Sequence, residues 1–281
     1  MIIVKIIGGL GNQMFQYAYA KSLKEKGFDV KIDISAFDTY KLHGGYQLDK
    51  FNLDLEVANK KEIKTLYKKD ILSQILNRLS LKYTIIKEKG LCFKKRLLNP
   101  SDNTYIQGYF QTEKYLLDMK NINEIFTINK NLSKYTNEIK NLITQSTNSC
   151  SIHIRRGDYI NDPATNKVFG TCSIDYYNEA INIINSKFEN MTYFVFSNDI
   201  AWTKENIKND NVVYVNSKEN RIPHEDIYLM SLCKNNIIAN SSFSWWGAYL
   251  NKNIIAPKNW FIDKKKIKQS KDLVPSSWTR L

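Results

Sequence analysis

The sequence has few of the residues that build metal centres and disulfide frameworks. Its 281 residues include only four cysteines and three histidines. The cysteines lie far apart and never form a C-x-x-C pair, and His43, His153 and His224 lack the spacing of metal ligands. We therefore expect no disulfide framework, no zinc site and no other bound metal.

Long apolar runs are also missing. The first apolar run, Ile2–Ile7, ends at a pair of glycines and is too short for a signal peptide or a membrane span. Scattered cysteines without such a segment are typical of a protein in the reducing cytoplasm, which is the location we expect. The sequence contains no internal repeat and no low-complexity segment, so we expect a globular protein throughout.

Positive charge is in excess. The chain has 41 Lys and Arg against 28 Asp and Glu, a formal net charge of +13. Hydrophobic residues make up 43% and aromatic residues 12%, which is enough for a real core and excludes a disordered chain. The excess charge calls for an anionic partner, and nucleic acid, an anionic membrane surface and a phosphorylated substrate are all open.

Predicted strands and helices alternate in both halves of the chain. A strand at Ile2–Ile7, a glycine loop, a helix over Gln13–Lys26 and a strand over Asp29–Ile34 open the first half. The second half alternates helices with five apolar strands, at Cys150–Ile154, Tyr193–Ser197, Val212–Val215, Asn236–Asn240 and Asn253–Pro257. This alternation predicts parallel sheets in two α/β domains, residues 1–147 and 148–281, divided near the polar stretch Ser146–Ser149.

Between these halves the pattern is weaker. Lys60–Tyr83 has apolar residues on one side and lysines around the rest, which predicts a basic amphipathic helix. Such a helix is either a solvated surface element or a contact with an anionic membrane. Thr104–Gln111 predicts a further strand.

Polar residues follow the predicted strands of the second half. They are Arg155–Asp158 after the first strand, Ser197–Asp199 and Asn216 after the next two, and Asn240–Ser242 at the fourth. The carboxyl ends of parallel strands share one edge of a sheet, where open α/β folds bind their ligands. The sequence therefore predicts a single site at this edge.

The sharpest local pattern is HIRRGDY at residues 153–159. His153 and Arg155 are two residues apart along a strand and so share a face. An arginine fork presents charged donors that match phosphate oxygens, and the pattern favours a phosphate contact. A structural Arg–Asp pair is the alternative interpretation of the same residues.

Two helix starts are further candidates. Asn240, Ser241 and Ser242 open a predicted helix, where hydroxyls and backbone N–H groups either bind an anion or simply cap the helix. Asp226 lies in the first turn after Pro223. Its carboxylate either offsets the helix dipole or accepts hydrogen bonds from the amino and imino groups of a guanine.

The glycine loop GGLGNQ at residues 8–13 resembles a dinucleotide fingerprint, with Asp33 at the expected distance. Met14 stands where the third glycine belongs, so the pattern is weak. A nicotinamide-dependent oxidoreductase based on Gly9, Gly11 and Asp33 is one interpretation. Close approach of a sugar, or a tight turn, is the other.

Six segments together resemble the family-11 fucosyltransferases, which make α-1,2-linked fucose from GDP-fucose. They occur in the family's order over nearly the whole chain. They are GGLGNQMFQYAYAKSL at 8–23, YIQGYFQTEKYL at 105–116, HIRRGDY at 153–159, GTCSIDYYNEAI at 170–181, FSNDIAW at 196–202 and HEDIYLMSLCKNNIIANSSFSWWGAYL at 224–250.

This resemblance implies a GT-B-type α/β fold, in which two Rossmann-like domains face each other across a cleft. The N-terminal domain would take the acceptor and the C-terminal domain would bind GDP-fucose. The implied reaction is the inverting transfer of fucose to a hydroxyl, expected to be galactose O2, of an O-antigen or other surface polysaccharide precursor. It needs no metal, and the sequence contains no D-x-D motif to bridge a metal to a diphosphate.

The resemblance also assigns expected roles to residues. Arg155 would hold the β-phosphate, His153 and Asp226 would lie near the guanine, and Ser241 or Ser242 would reach the diphosphate. Further donor-side candidates are Arg156, Asn240, Gly9, Gly11, Asn12 and Gln13. The catalytic candidates are Arg155 and the two nearest carboxylates, Asp158 and Asp162, neither of which is assigned as the base.

The expected partners are GDP-fucose and a glycan acceptor. Linkage of the acceptor to a lipid, and contact of residues 60–83 with a membrane, are further possibilities. An enzyme of this kind would work in the cytoplasm, and attachment to the inner face of the membrane is left open.

A nicotinamide oxidoreductase leaves the second-half pattern unexplained. A nucleic-acid-binding protein lacks support because the lysines are scattered and no basic-aromatic recognition motif is present, so we expect no nucleic acid partner.

Overall fold

The computed structural model describes residues 1–67, 84–117, 122, 124–215, 222–249, 251 and 253–281, except for the side chains of Thr84 and Asp158. It forms two compact units. The first comprises Met1–Asn129 with Lys271–Leu273, and the second Lys130–Ser270 with Val274–Leu281.

The first unit is built on a parallel sheet of four strands in the order β2-β1-β4-β3. The strands are β1 Ile2–Lys5, β2 Val30–Asp33, β3 Thr84–Lys87 and β4 Thr104–Gln107, and the helices are α1 Leu10–Glu25 and α2 Lys60–Leu66. The predicted strand–glycine loop–helix–strand unit at the N-terminus is confirmed, although the helix begins directly after Gly9. Helix α1 ends at Glu25, and Gly27, two residues later, has a φ of +89°, which favours glycine.

The predicted helix over Lys60–Tyr83 is wrong in its length. Helix α2 starts with a capping box, in which the Asn59 side chain accepts from the Glu62 backbone N–H and the Glu62 carboxylate accepts from the Asn59 N–H. It ends at Leu66 because Tyr67 leaves the helical region, with φ −106° and ψ 74°. The Tyr67 ring instead stacks on Tyr105, with 4.5 Å between ring centroids. Residues 68–83 lie outside the described residues.

The second unit contains a parallel sheet of six strands in the order β10-β9-β8-β5-β6-β7. The strands are β5 Asn148–Ile154, β6 Met191–Ser197, β7 Val212–Val215, β8 Asn235–Ile237, β9 Asn253–Ala256 and β10 Thr279–Arg280. The helices are α3 Lys134–Gln145, α4 Gly157–Asn161, α5 Pro163–Phe169, α6 Ile174–Asn185, α7 Ile200–Asn206, α8 Pro223–Leu232, α9 Ser242–Tyr249 and α10 Lys264–Lys268. All five strands predicted in this half are confirmed.

The division between the units lies at Asn129–Lys130, not near residue 148 as the polar stretch suggested. Helix α3 belongs to the second unit because its start is bonded to α8. The Glu225 carboxylate accepts from the backbone N–H of Ser133 at 2.9 Å and from the Thr136 hydroxyl at 2.6 Å. The polar residues at 146–149 only link α3 to β5.

Helix α9 is buried from Ser244 to Tyr249 and contributes to the core of the second unit. Trp245 and Trp246 are both buried, and Trp245 stacks on Tyr249 at 4.3 Å between ring centroids. A Cβ on Gly247 would lie 2.8 Å from Cβ of Met230, so this glycine lets α9 lie close to α8. The buried Asn236 amide donates to Ser151 Oγ at 2.7 Å and thereby joins β8 to β5.

None of the helices in the described ranges combines the length and the apolar character needed to span a membrane.

Candidate active site

The predicted shared edge is present in the second unit. Strands β8, β5 and β6 are neighbours and run in parallel, so the residues that follow them lie at one edge of the sheet. These residues are Arg155–Gly157 after β5, Asn198 and Asp199 after β6, and Asn240–Ser242 after β8.

The loop that carries Arg155 is fixed to the end of β6 by Asn198. The Asn198 Oδ1 accepts from the backbone N–H of Arg156 at 2.9 Å and from that of Gly157 at 3.3 Å. A Cβ on Gly157 would lie only 2.9 Å from Asn198 Nδ2, so residue 157 is a glycine for lack of space. The Arg155 guanidinium lies 5.6 Å from the centroid of the Tyr159 ring, within cation–π range.

Sequence reasoning placed Asn198 at the shared edge, within Ser197–Asp199, but gave it no role of its own. Its place directly after a predicted strand was visible, but the two N–H groups that it accepts from are about 40 residues earlier in the chain. A pattern of residues along the sequence carries no signal for such a contact.

Arg156 forms a structural Arg–Asp pair, but with Asp199 after β6, outside the segment 153–159 for which the sequence left such a pair open. Its Nε donates to Asp199 Oδ2 at 3.3 Å, and its guanidinium carbon lies 3.8 Å from the centroid of the Trp202 ring. Both contacts hold the Arg156 side chain against α7. The two neighbouring arginines therefore have different surroundings, with Arg155 against Tyr159 and Arg156 against Trp202.

His153 and the start of α9 lie together at the β5–β8 side of this edge. His153 is 1% exposed, and its imidazole centroid is 5.5 Å from that of Phe243. The Phe243 backbone N–H donates to Ser241 Oγ at 3.3 Å, so Ser241 acts as a cap of α9 while Ser242, the first residue of the helix, is half-buried. Tyr159 connects the two strand ends, because its hydroxyl donates to the backbone oxygen of Asn240 at 3.2 Å.

The Asn240 amide is used to hold loops. Its Nδ2 donates to the backbone oxygens of Phe169 at 3.0 Å, Trp260 at 3.2 Å and Gly170 at 3.4 Å. Asn240 thus lies at the predicted edge, but the structure gives its side chain a scaffolding role.

Asp226 lies in the first turn of α8 and is 8% exposed. Its neighbour Glu225 accepts hydrogen bonds from Ser133 and Thr136. Burial alone would raise the pKa of Glu225, but the hydrogen bonds from Thr136 and Ser133 hold it below its usual range. Glu225 therefore ties α8 to α3, and Asp226 is a second, nearly buried acid at the same helix start.

Asp162, one of the two candidate bases, caps a helix. It is exposed, and it accepts from the Ala164 backbone N–H at 3.0 Å and from Thr165 Oγ1 at 2.6 Å at the start of α5. The hydrogen bond from Thr165 lowers the pKa of Asp162, which makes its carboxylate a weaker base. The other candidate, Asp158, lies in α4, and its side chain is outside the described residues.

In the first unit, Gly9 directly precedes α1, and Gly11, Asn12 and Gln13 lie in the first turn of that helix. Gly11 is buried within α1, and Asn12 Oδ1 accepts from Gln111 Nε2 at 2.6 Å. The fully buried Gln13 donates to the backbone oxygens of Gly8 and Gly45, both at 2.8 Å. Asn12 and Gln13 thus fix the glycine loop to its surroundings.

The same geometry weighs against a nicotinamide site. The Asp33 carboxylate, which would have to bind a ribose, is 2% exposed. It accepts from the Ser35 backbone N–H at 2.8 Å and forms a short hydrogen bond with the Tyr105 hydroxyl. Its acceptor capacity is therefore used inside the unit.

The chain is similar to known proteins in sequence and in fold. The model of the family described as Glycosyl transferase family 11 matches residues 1–281. An alpha-1,2-colitosyltransferase of Escherichia coli is 37% identical over 100% of this chain and 99% of its own length. The O-antigen biosynthesis glycosyltransferase WbnK of Escherichia coli is 35% identical over 98% of both chains.

Among solved structures, the NodZ alpha-1,6-fucosyltransferase soaked with GDP-fucose superposes with a TM-score of 0.51. It is 14% identical, and the match covers 94% of this chain and 95% of that one. A likeness at this identity shows the fold, and it confirms the GT-B class with its parallel α/β units.

Proposed function

This chain belongs to glycosyl transferase family 11, and we propose that it transfers fucose from GDP-fucose to a hydroxyl of a glycan acceptor with inversion at the anomeric carbon. That it is a glycosyltransferase follows from the family itself. The donor sugar, the acceptor and the roles of individual residues are the proposed part.

The observation that carries the proposal is the fixed loop of Arg155 at the carboxyl edge of the second sheet. Asn198 holds the two residues that follow Arg155, and Tyr159 lies against its guanidinium. A permanently charged fork on a preorganised loop meets the charge that develops on a departing diphosphate. Removing one such preorganised donor typically costs about 2.7–4 kcal/mol, or about 10²–10³ in rate.

The same edge offers the remaining donor contacts. We infer that the capped start of α9, with Ser241 and Ser242, binds the diphosphate, and that His153 and Asp226 bind the guanine. His153 and Asp226 are both nearly buried, so a base bound there would be well shielded from water. No residue in this arrangement has to hold a metal, and we infer that the reaction needs none.

The donor sugar is proposed as fucose, and colitose is its competitor. One relative is named as a colitosyltransferase and the matching NodZ structure was soaked with GDP-fucose. Colitose is fucose without the hydroxyl at C3. A site that hydrogen-bonds that hydroxyl would reject the deoxy sugar strongly, whereas an apolar pocket would accept both.

For the acceptor we propose O2 of a galactose residue in an O-antigen or related surface polysaccharide precursor, carried on a lipid. The relatives named for α-1,2 transfer and for O-antigen biosynthesis support this class. We further propose that the first unit receives the acceptor and that the protein works in the cytoplasm. The exposed lysines of α2, Lys60, Lys61 and Lys64, would then contact the anionic inner face of the membrane.

The test is a donor-by-acceptor matrix with the purified chain. GDP-fucose, GDP-colitose, GDP-mannose and UDP-galactose are each incubated with galactosides that are free or blocked at O2, in the presence and absence of EDTA. We expect transfer from GDP-fucose to the unblocked galactosides, unchanged by EDTA. Transfer from GDP-colitose alone would overturn the donor assignment, and product from the O2-blocked acceptors would overturn the linkage.

A further inference from the structure

One aromatic residue of the segment YIQGYFQTEKYL is exposed. Tyr109 lies two residues after the end of β4 and is 43% exposed, whereas the other aromatic residues of the segment, Tyr105, Phe110 and Tyr115, are buried. The carboxyl end of β4 belongs to the edge at which parallel α/β sheets bind their ligands. Tyr109 therefore presents an aromatic surface where a ligand of the first unit is expected.

The turn that carries Tyr109 is fixed on both sides. The Glu88 Oε2 accepts from the backbone N–H groups of Tyr109 at 2.8 Å and Phe110 at 3.0 Å. The Phe110 ring stacks on Tyr19, with 3.9 Å between ring centroids. A Cβ on Gly108 would lie 2.6 Å from Cβ of Glu88, so residue 108 is a glycine for lack of space. The backbone of Tyr109 thus has little freedom to lose when a ligand binds.

Holding this turn costs free energy. Phe110 has a φ of +51°, in the left-handed region that residues other than glycine rarely occupy. The second carboxylate oxygen of Glu88, Oε1, is buried and accepts no hydrogen bond from the residues that the structure describes. Burial also raises the pKa of Glu88. Backbone strain and unsatisfied buried groups are typical of functional sites, where the surrounding structure maintains them.

A second tyrosine lies beside Tyr109. Burial raises the pKa of Tyr40, and the nearby phenol of Tyr109 raises it further. Tyr40 follows β2 and Tyr109 follows β4, and these two strands are the neighbours of β1 in the sheet. Both tyrosines therefore belong to the carboxyl edge of the first sheet, at which the glycine loop leaves β1.

The chemistry of this surface suits an uncharged sugar. An aromatic ring packs against the C–H face of a pyranose, and galactose has such a face at C3, C4 and C5 because its O4 is axial. The phenol hydroxyls can both donate to and accept from sugar hydroxyls. The ionisable side chain bonded to the turn is Glu88, and a carboxylate disfavours a phosphate nearby. A neutral galactose therefore fits this surface better than a diphosphate does.

We propose that Tyr109, with Tyr40 beside it, forms a sugar-binding subsite of the first unit and stacks on the galactose residue of the acceptor. This inference rests on the proposed transfer to a galactoside. The contact lies within the first unit, so binding of the sugar can be measured without any transfer.

The test is an NMR titration of wild type and Tyr109→Ala with lactose, a galactoside, in the presence and absence of GDP. Stacking on the ring should shift the galactose protons H3, H4 and H5 upfield in the wild type, and Tyr109→Ala should abolish these shifts. Because the variant loses the burial of an aromatic side chain against the sugar, the Kd for lactose should rise by about 10- to 100-fold.

Two further variants separate the ring from its surroundings. Tyr109→Phe keeps the ring face and should recover most of the affinity for lactose. Val57→Ala changes another exposed apolar residue of the first unit, and this matched control should bind lactose as the wild type does. In the transfer assay, Tyr109→Ala should raise the acceptor KM and leave the KM for GDP-fucose unchanged.

Unchanged lactose binding by Tyr109→Ala would overturn the proposal, and so would a wild type that does not bind lactose. A rise confined to the KM for GDP-fucose would also overturn it, because Tyr109 would then contact the donor. Failure of the proposed function is a distinct outcome, since a wild type that transfers no fucose could still bind lactose through Tyr109.

Discussion

The role of Asn198 can be tested by removing its side-chain oxygen. In Asn198→Ala the backbone N–H groups of Arg156 and Gly157 lose their shared acceptor. A net hydrogen bond is worth about 0.5–1.5 kcal/mol, so two of them correspond to about 1–3 kcal/mol. If the loop must be ordered in the transition state, this energy appears in kcat/KM as a loss of about 5- to 160-fold.

The assay is the initial rate of fucose transfer at varied GDP-fucose, with the melting temperature measured in parallel. Asn198→Asp is the matched control, because a carboxylate oxygen accepts from the same two N–H groups, and it should retain most of the activity. Equal losses in Asn198→Ala and Asn198→Asp would refute the reasoning, as would an Ala variant with normal kinetics and a lowered melting temperature.

Four further variants test neighbouring parts of the second unit. Arg155→Ala should lower kcat by about 10²–10³ without a change in melting temperature. Arg156→Ala should mainly lower the melting temperature. Steady-state kinetics and thermal unfolding of both variants test this difference. Gly157→Ala should reproduce the kinetic loss of Asn198→Ala, since its Cβ would lie 2.9 Å from Asn198 Nδ2, and the same rate assay checks it. The pKa of Glu225 is lower in the folded state than in the unfolded chain. Its contribution to stability is therefore complete at pH values above the unfolded-state pKa of about 4.3, and it is lost as the pH falls through the folded-state pKa. The melting temperature of Glu225→Gln should therefore lie below that of the wild type at neutral pH, and the gap should close on acidification.

Features that depend on residues close together along the chain could be predicted from the sequence. Apolar runs broken by polar residues predicted the strands of the second unit and the edge at which Arg155 and Ser241 lie. The helix over Lys60–Tyr83 failed at Tyr67, because packing on Tyr105 outweighed an apolar periodicity that continues beyond it. The domain boundary failed for a similar reason, since the contacts of Glu225 with Ser133 span 92 residues of the chain.

In the candidate site, too, the sequence indicated which residues lie at the sheet edge but not which contacts they make with distant parts of the chain. The resemblance assigned Gln13 and Asn240 to donor binding, and the structure shows both amides bonded to backbone oxygens of nearby loops. Asn198 does the reverse and accepts from two backbone N–H groups. In each unit a side-chain amide thus fixes a loop that follows a strand.

An amide suits this task because it offers both a donor and an acceptor without adding charge. A carboxylate would supply acceptors but no donor, and an ammonium would supply donors but no acceptor. Polar residues in a sequence motif therefore fall into two classes, those that meet the substrate and those that hold its binding loops. In this chain Arg155 is proposed for the first class, and Asn198 and Gln13 belong to the second. The variants of Asn198 and Arg155 separate these classes, because another acceptor can replace a loop-holding amide, whereas only another cation can replace the charge of Arg155.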